Sequence, residues 1–176
     1  MHEDVAPSDT ATLERARSLA NELVYTVALQ CRRLKTAEPE DDEFVFRVWA
    51  DWQFLIVALS RLRHVGVLAK RVEEVADEIQ RALIAFDAAL PSLQLMRNVG
   101  EHLDKYAIDQ GHGEISRKAL QVGSWTDADL FWLREGVGNA PESKPLTLNS
   151  VVALDASRKL HRAICSADRM YRLKTE

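Results

Sequence analysis

The stretch Val48-Trp49-Ala50-Asp51-Trp52-Gln53-Phe54-Leu55-Ile56-Val57-Ala58-Leu59-Ser60-Arg61-Leu62 decides the fold. Val48, Trp49, Trp52, Leu55, Ile56, Leu59 and Leu62 recur at helical spacing, and the apolar arc is wide. An amphipathic surface helix needs only a stripe. This one predicts a helix over about 42–69, with Phe44 at its start, lying centrally among other helices. Early acids and late bases suit its dipole. Asp51 interrupts the arc between two tryptophans. It is either a rim residue or a buried acid that orients Arg97, further along the chain.

Working outward, the same period recurs. Leu13, Ala16, Leu19, Ala20, Leu23, Val27 and Leu34 predict a helix over about 11–36, capped by Asp9 or Thr10. Pro39 and the acids Glu38, Glu40, Asp41, Asp42 and Glu43 end it. Val72, Val75, Ile79, Leu83 and Phe86 predict a third helix over about 71–89. Pro91 suits the first turn of a fourth, about 91–109, which Gly111 and Gly113 stop. Then the period changes. Leu120, Val122 and Ser124 alternate with polar partners, as do Leu130 and Trp132, which predicts a short β-hairpin. A loop rich in Gly, Pro and Ser follows over 135–146. A last helix, about 148–172, turns Val152, Ala156, Leu160, Ala163, Ile164, Ala167 and Tyr171 inward. The expected fold is mainly all-α: an up-and-down bundle of about five helices with a small β-hairpin before the last one. Residues 1–9 read as a disordered N-terminus and 10–176 as a single domain.

Composition narrows the function classes. At 176 residues the chain can bury a core without staples. Its net charge of −4 gives no global basic field for nucleic acid. Local basic runs do occur, Arg61, Arg63, Lys70 and Arg71, then Arg158, Lys159, Arg162, Arg169, Arg172 and Lys174. Near helix ends they complement the dipole before they suggest an RNA-binding face. No apolar run approaches the ~20 residues a bilayer requires, and residues 1–10 lack a signal core. A cytoplasmic protein is expected, with no membrane partner. Two cysteines, Cys31 and Cys165, have no zinc-type spacing and read as small core residues in reduced form.

Residues Leu95-Met96-Arg97-Asn98-Val99-Gly100-Glu101-His102-Leu103-Asp104-Lys105-Tyr106, on the fourth helix, carry the one constellation with evident chemistry. Arg97 can pair two phosphate oxygens, and neutral His102 can take a proton from a ribose 2′-hydroxyl. RNA carries its own nucleophile, so this chemistry needs no metal and no cofactor. On a helical wheel Asn98 lies beside His102 and can fix its tautomer, while Arg97 lies roughly 140° away. A two-fold dimer that brings two such helices together would close the gap. Tyr106 can donate a hydrogen bond or accept a modification. With 16 arginines and 5 histidines, an Arg-to-His spacing of this kind arises about once by chance. Arg97 and Glu101, four apart, can equally form a surface ion pair.

The combination of Arg97, Asn98 directly after it, His102 and a late position in an α-bundle resembles the HEPN superfamily. The resemblance implies a homodimer with a composite cleft, RNA as the ligand, ribonuclease activity in many members, and roles in toxin–antitoxin, defence and RNA-processing systems. It implies Arg97 and His102 as the catalytic pair with Asn98 in support, and an antitoxin or regulatory protein as a further partner. One toxin branch carries a tyrosine two residues after the histidine. Here Asp104 stands there and the nearest tyrosine is Tyr106. A reading from another class is a non-enzymatic helical adaptor, in which Arg97–Glu101 is a surface pair and His102 is structural.

Other sites have less behind them. A carboxylate-bridged di-metal bundle needs Glu-x-x-His pairs, and the chain has none. A three-histidine metal site would draw on His64, His102 and His161 from three helices. His2 and His112 read as terminal and loop-borne. Trp49 and Trp52 read as core anchors, and Trp125 and Trp132 as cover for the bundle's end. No glycine-rich phosphate loop or Gly-x-Ser-x-Gly elbow is present.

Overall fold

In a computed structural model, residues 7–36, 45–106, 108, 110, 123–125, 129–132 and 146–175 are described. The described helices are α1 (Asp9–Arg33), α2 (Val45–Ala69), α3 (Ala76–Ala89), α4 (Leu93–Glu101), the short α5 (Leu103–Tyr106) and α6 (Ser150–Thr175). A 3-10 turn, Glu73–Val75, leads into α3. The fold is the mainly helical bundle that the periodicity predicts.

The apolar arc of α2 has the consequence its width demands. This helix packs against α1, α3, α4 and α6, while α1 also lies along α6 and α3 against α6. Trp52, Leu55, Ile56, Leu59 and Leu62 are buried, and Trp49 and Val48 pack half-buried against the same core. Val72, Val75, Ile79, Leu83 and Phe86 are all buried as well. Gly66 shows how closely the helices approach: a Cβ there would lie 2.8 Å from Leu83 Cδ2 and 3.4 Å from Leu160 Cδ1. No described helix is long and apolar enough to cross a membrane.

Several boundaries differ from the expected ones. Helix α1 begins at Asp9 because Ser8, not Asp9 or Thr10, is the N-cap, its Oγ accepting from Ala11 N at 3.2 Å. Leu19 lies at the edge of the α1 stripe and is exposed. In α2 the bases do not fall in the last turn, so they do not complement its dipole there. Residues 42–44, including Phe44, lie outside the described residues, as do Pro39, Gly111, Gly113, Leu120, Val122, His2 and His112. On α6 the inner face turns slightly: Val152 is exposed, while Ala153, Ser157 and Asp168 are buried. The helix starts at Ser150 because Asn149 caps it, Oδ1 accepting from Val151 N at 2.9 Å and Val152 N at 3.0 Å.

The hairpin pairs β1 (Gly123–Trp125) with β2 (Asp129–Trp132), antiparallel, with Ser124 opposite Phe131. It gains a third strand. β3 (Leu146–Asn149) pairs with β2, Leu130 opposite Leu148, in ground read from the sequence as loop and helix start. Leu146 and Leu148 are buried and Thr147 exposed, a period of two too short to register among turn residues. Trp125 and Trp132 lie on β1 and β2; their side chains are outside what is described.

Candidate functional site

The fourth helix is shorter than its sequence pattern suggests. It runs from Leu93 to Glu101 and ends at His102, whose φ of −122° and ψ of 38° leave the helical region. The next turn, α5, starts afresh, with Tyr106 N bonded to His102 O at 3.1 Å. Gly100 sits in the last turn of α4, where a glycine costs about 1 kcal/mol relative to alanine. The α-run is thus weakest just before it stops.

The break separates the members of the motif. Met96 and Val99 are buried, which sets Arg97 at the half-buried margin of the helix. Its Nη1 donates to Asn98 Oδ1 at 3.2 Å, and its Nη2 pairs with Glu101 Oε2 at 2.5 Å. Asn98 therefore takes the arginine, its neighbour, instead of the His102 ring. Its carbonyl accepts the His102 backbone N–H at 3.1 Å. His102 is exposed. Among the described residues no hydrogen bond or ion pair joins Arg97 to His102. Tyr106 is 2% exposed, so any modification of it would require the ring to leave the core.

Arg97 does face something. With Ser60, Arg63 and His64 of α2, Asp87 of α3 and Gln94 of its own helix, it lines a cleft of about 160 Å³. Arg63 is fixed there by Asp87, through Nε to Oδ1 at 2.7 Å and Nη2 to Oδ2 at 2.8 Å. That fork-to-fork bond, with burial working against it, raises an already high Arg63 pKa. His64 is exposed at the rim. In the sequence His64 stands only as one of three scattered histidines. The signal that points to it is local: Ser60, Arg63 and His64 are three and four apart, hence on one face of α2. What spacing could not supply is that this face meets α4.

Asp51, the polar break in the apolar arc, is buried instead of lying at the rim. It orients two arginines, neither of them Arg97: Arg33 Nε donates to Oδ1 at 2.9 Å and Arg47 Nη1 to Oδ2 at 2.9 Å. Both cysteines are free thiols. Cys31 is the core residue its helix position predicts, its Sγ donating to Ser150 O at 3.3 Å, and burial pushes its pKa up to about 11. Cys165 is only partly buried. No grouping of three or more His, Cys, Asp or Glu able to hold a metal occurs among the described residues. No family model, no curated protein and no solved structure matches the chain.

Proposed function

We propose that the chain is a HEPN-like, RNA-binding helical bundle that acts as a homodimer and cleaves RNA without a metal, as a toxin or defence ribonuclease does. One observation carries this reading: a single short helix presents Arg97 to a polar cleft and His102 to solvent at its end. In the reaction, Arg97 leaves Glu101 and grips two oxygens of the phosphate. The exchange is easy, because an i,i+4 surface pair contributes only about 0.3–0.5 kcal/mol, whereas a bidentate, charge-assisted contact is stronger. Asn98 steadies the guanidinium. Neutral His102 takes the proton of the 2′-hydroxyl, the 2′-oxygen attacks phosphorus, and the 5′-oxygen leaves with a proton from solvent. Arg97 and His102 diverge on α4, so the site draws each from a different copy across the two-fold axis. An antitoxin or regulatory protein is the partner such an activity calls for.

RNA incubated in EDTA with wild type, Arg97→Ala and His102→Ala tests this. Cleavage by wild type and a loss of about 10²-fold or more in each variant are expected. Equal cleavage by all three, or none by the wild type, rejects it.

A second reading rests on a specific observation. Both cations of the cleft already hold a carboxylate, Arg97 that of Glu101 and Arg63 that of Asp87. A helical adaptor with no catalytic role would leave them so. Wild type that neither binds nor cuts RNA selects this alternative.

A further inference from the structure

A second cleft runs along the seam of α1 and α6. It measures about 320 Å³ and is lined by Arg17, Asn21, Cys165, Asp168, Arg169 and Arg172. His161 and Cys165, four apart on α6, share a face. The Cys165 sulfur lies 3.4 Å from His161 Nε2, and that nitrogen lies 2.7 Å from Asn21 Oδ1 across the seam. With its proton on Nε2, the ring donates to Asn21, and the sulfur lies to the side of that bond. Asp168 is buried and shared between two guanidiniums, Arg172 Nε at 3.1 Å and Arg17 Nε at 3.3 Å. Glu14 adds a carboxylate 3.6 Å from Arg172. Among the described residues three guanidiniums thus gather with two carboxylates around a partly exposed thiol, an excess of one positive charge.

We propose that Cys165 is a modification site for small anionic disulfides, drawn in by Arg17, Arg169 and Arg172 and exchanged with the thiol to give a mixed disulfide. Oxidised glutathione is the representative of the class. Solvent base removes the thiol proton, and the resulting thiolate lies among Arg17, Arg169 and Arg172. The sulfur attacks one sulfur of the disulfide; that S–S bond breaks as the new one forms. The other half leaves as a thiolate and takes up a proton. The disulfide is the oxidant and is reduced to one thiol. The Cys165 thiol is held above its ordinary value, chiefly by burial, with Arg17 pulling it down, Asp168 pushing it up and Arg169 pulling it down, so exchange is driven by base. Cys31, buried and bonded to a carbonyl, is the internal control. The inference does not rest on RNA cleavage.

The full chain is incubated at about pH 8 and low salt with oxidised glutathione (anionic), hydroxyethyl disulfide (neutral) and cystamine (cationic). Adducts are located by peptide mass mapping, and each rate is divided by that of the same reagent with the urea-unfolded chain. The expected result is modification of Cys165 and not Cys31, with the anionic reagent about tenfold ahead of the cationic one. About 0.5 M salt should collapse that order. Arg169→Gln, an exposed position, should narrow it with an unchanged melting temperature, and Cys165→Ser should abolish the adduct. Equal modification of both cysteines, a charge-blind or reversed order, or an order untouched by Arg169→Gln overturns the proposal.

Discussion

Asp51 stands between two tryptophans on α2 with 3% of its surface exposed, yet it is fully served. Arg33 reaches it from the last turn of α1 and Arg47 from one turn earlier on α2. The break in the apolar arc marked Asp51 in the sequence. Its partners were not legible, since any of 16 arginines could have been brought to it and only the α1–α2 packing selects two. Asp51→Ala should lower stability in urea unfolding by about 2–4 kcal/mol, because it removes a buried carboxylate that Arg33 and Arg47 both bond. Arg33→Ala removes a more exposed partner and should cost about 1 kcal/mol or less. Equal losses would mean that the buried carboxylate depends on both alike. Cys31 makes a prediction in pH. Its thiol is raised from an ordinary 9.0 to about 11, chiefly by burial. Between those values the unfolded chain releases the proton while the folded chain keeps it. The stabilisation is therefore complete below about pH 9 and is lost as pH rises through about 11. The advantage of wild type over Cys31→Ala should shrink by roughly 2 kcal/mol across that window, measured by denaturation at each pH. A constant difference would show that the thiol is not held neutral.

At the scale of elements, two helical glycines look alike in the sequence and differ in the fold. Gly66 lies where α2 meets α3 and α6, and a Cβ there would press on Leu83 and Leu160, both buried. Gly66→Ala gains about 1 kcal/mol in helix propensity and loses about 1–3 to overpacking, so a net loss is expected. Among the described residues Gly100 faces Gln53 Oε1, at 3.0 Å, the end of a flexible side chain that can turn aside. Gly100→Ala should be neutral or stabilising by up to about 1 kcal/mol, and thermal melts of the pair check the contrast. A stabilised Gly66→Ala would mean that the α2–α3 seam has slack. The same contrast explains what was readable. Periodicity over several turns gave α1, α2, α3 and α6, because each buries a continuous stripe. It could not give the stop at His102, where the pattern of Val99, Leu103 and Tyr106 runs on while the backbone breaks. Nor could it give β3, four residues long and defined by a partner strand.

At the scale of the whole molecule, the bundle was legible from its apolar spacing, whereas the cleft was not. The cleft joins Arg97 to Arg63 and His64 of α2, a meeting that exists only after the helices pack. The motif contributed one of its lining residues and left His102 outside. Within one copy the route from Arg97 to His102 is interrupted twice, by their angle on α4 and by the break at the histidine. A nuclease built from this pair must therefore complete its site across two copies, which has a direct consequence. Arg97→Ala keeps His102, and His102→Ala keeps Arg97. Each variant alone is expected to be inactive. When the two are mixed, allowed to exchange subunits and assayed on RNA in EDTA, half of the dimers are mixed. Each mixed dimer contains one site with an intact Arg97 from one copy and an intact His102 from the other. Activity should return to about a quarter of the wild-type level, following from the two-fold symmetry. An active wild type whose variants show no recovery on mixing would place both groups in one copy. The break at His102 would then have to close when RNA binds.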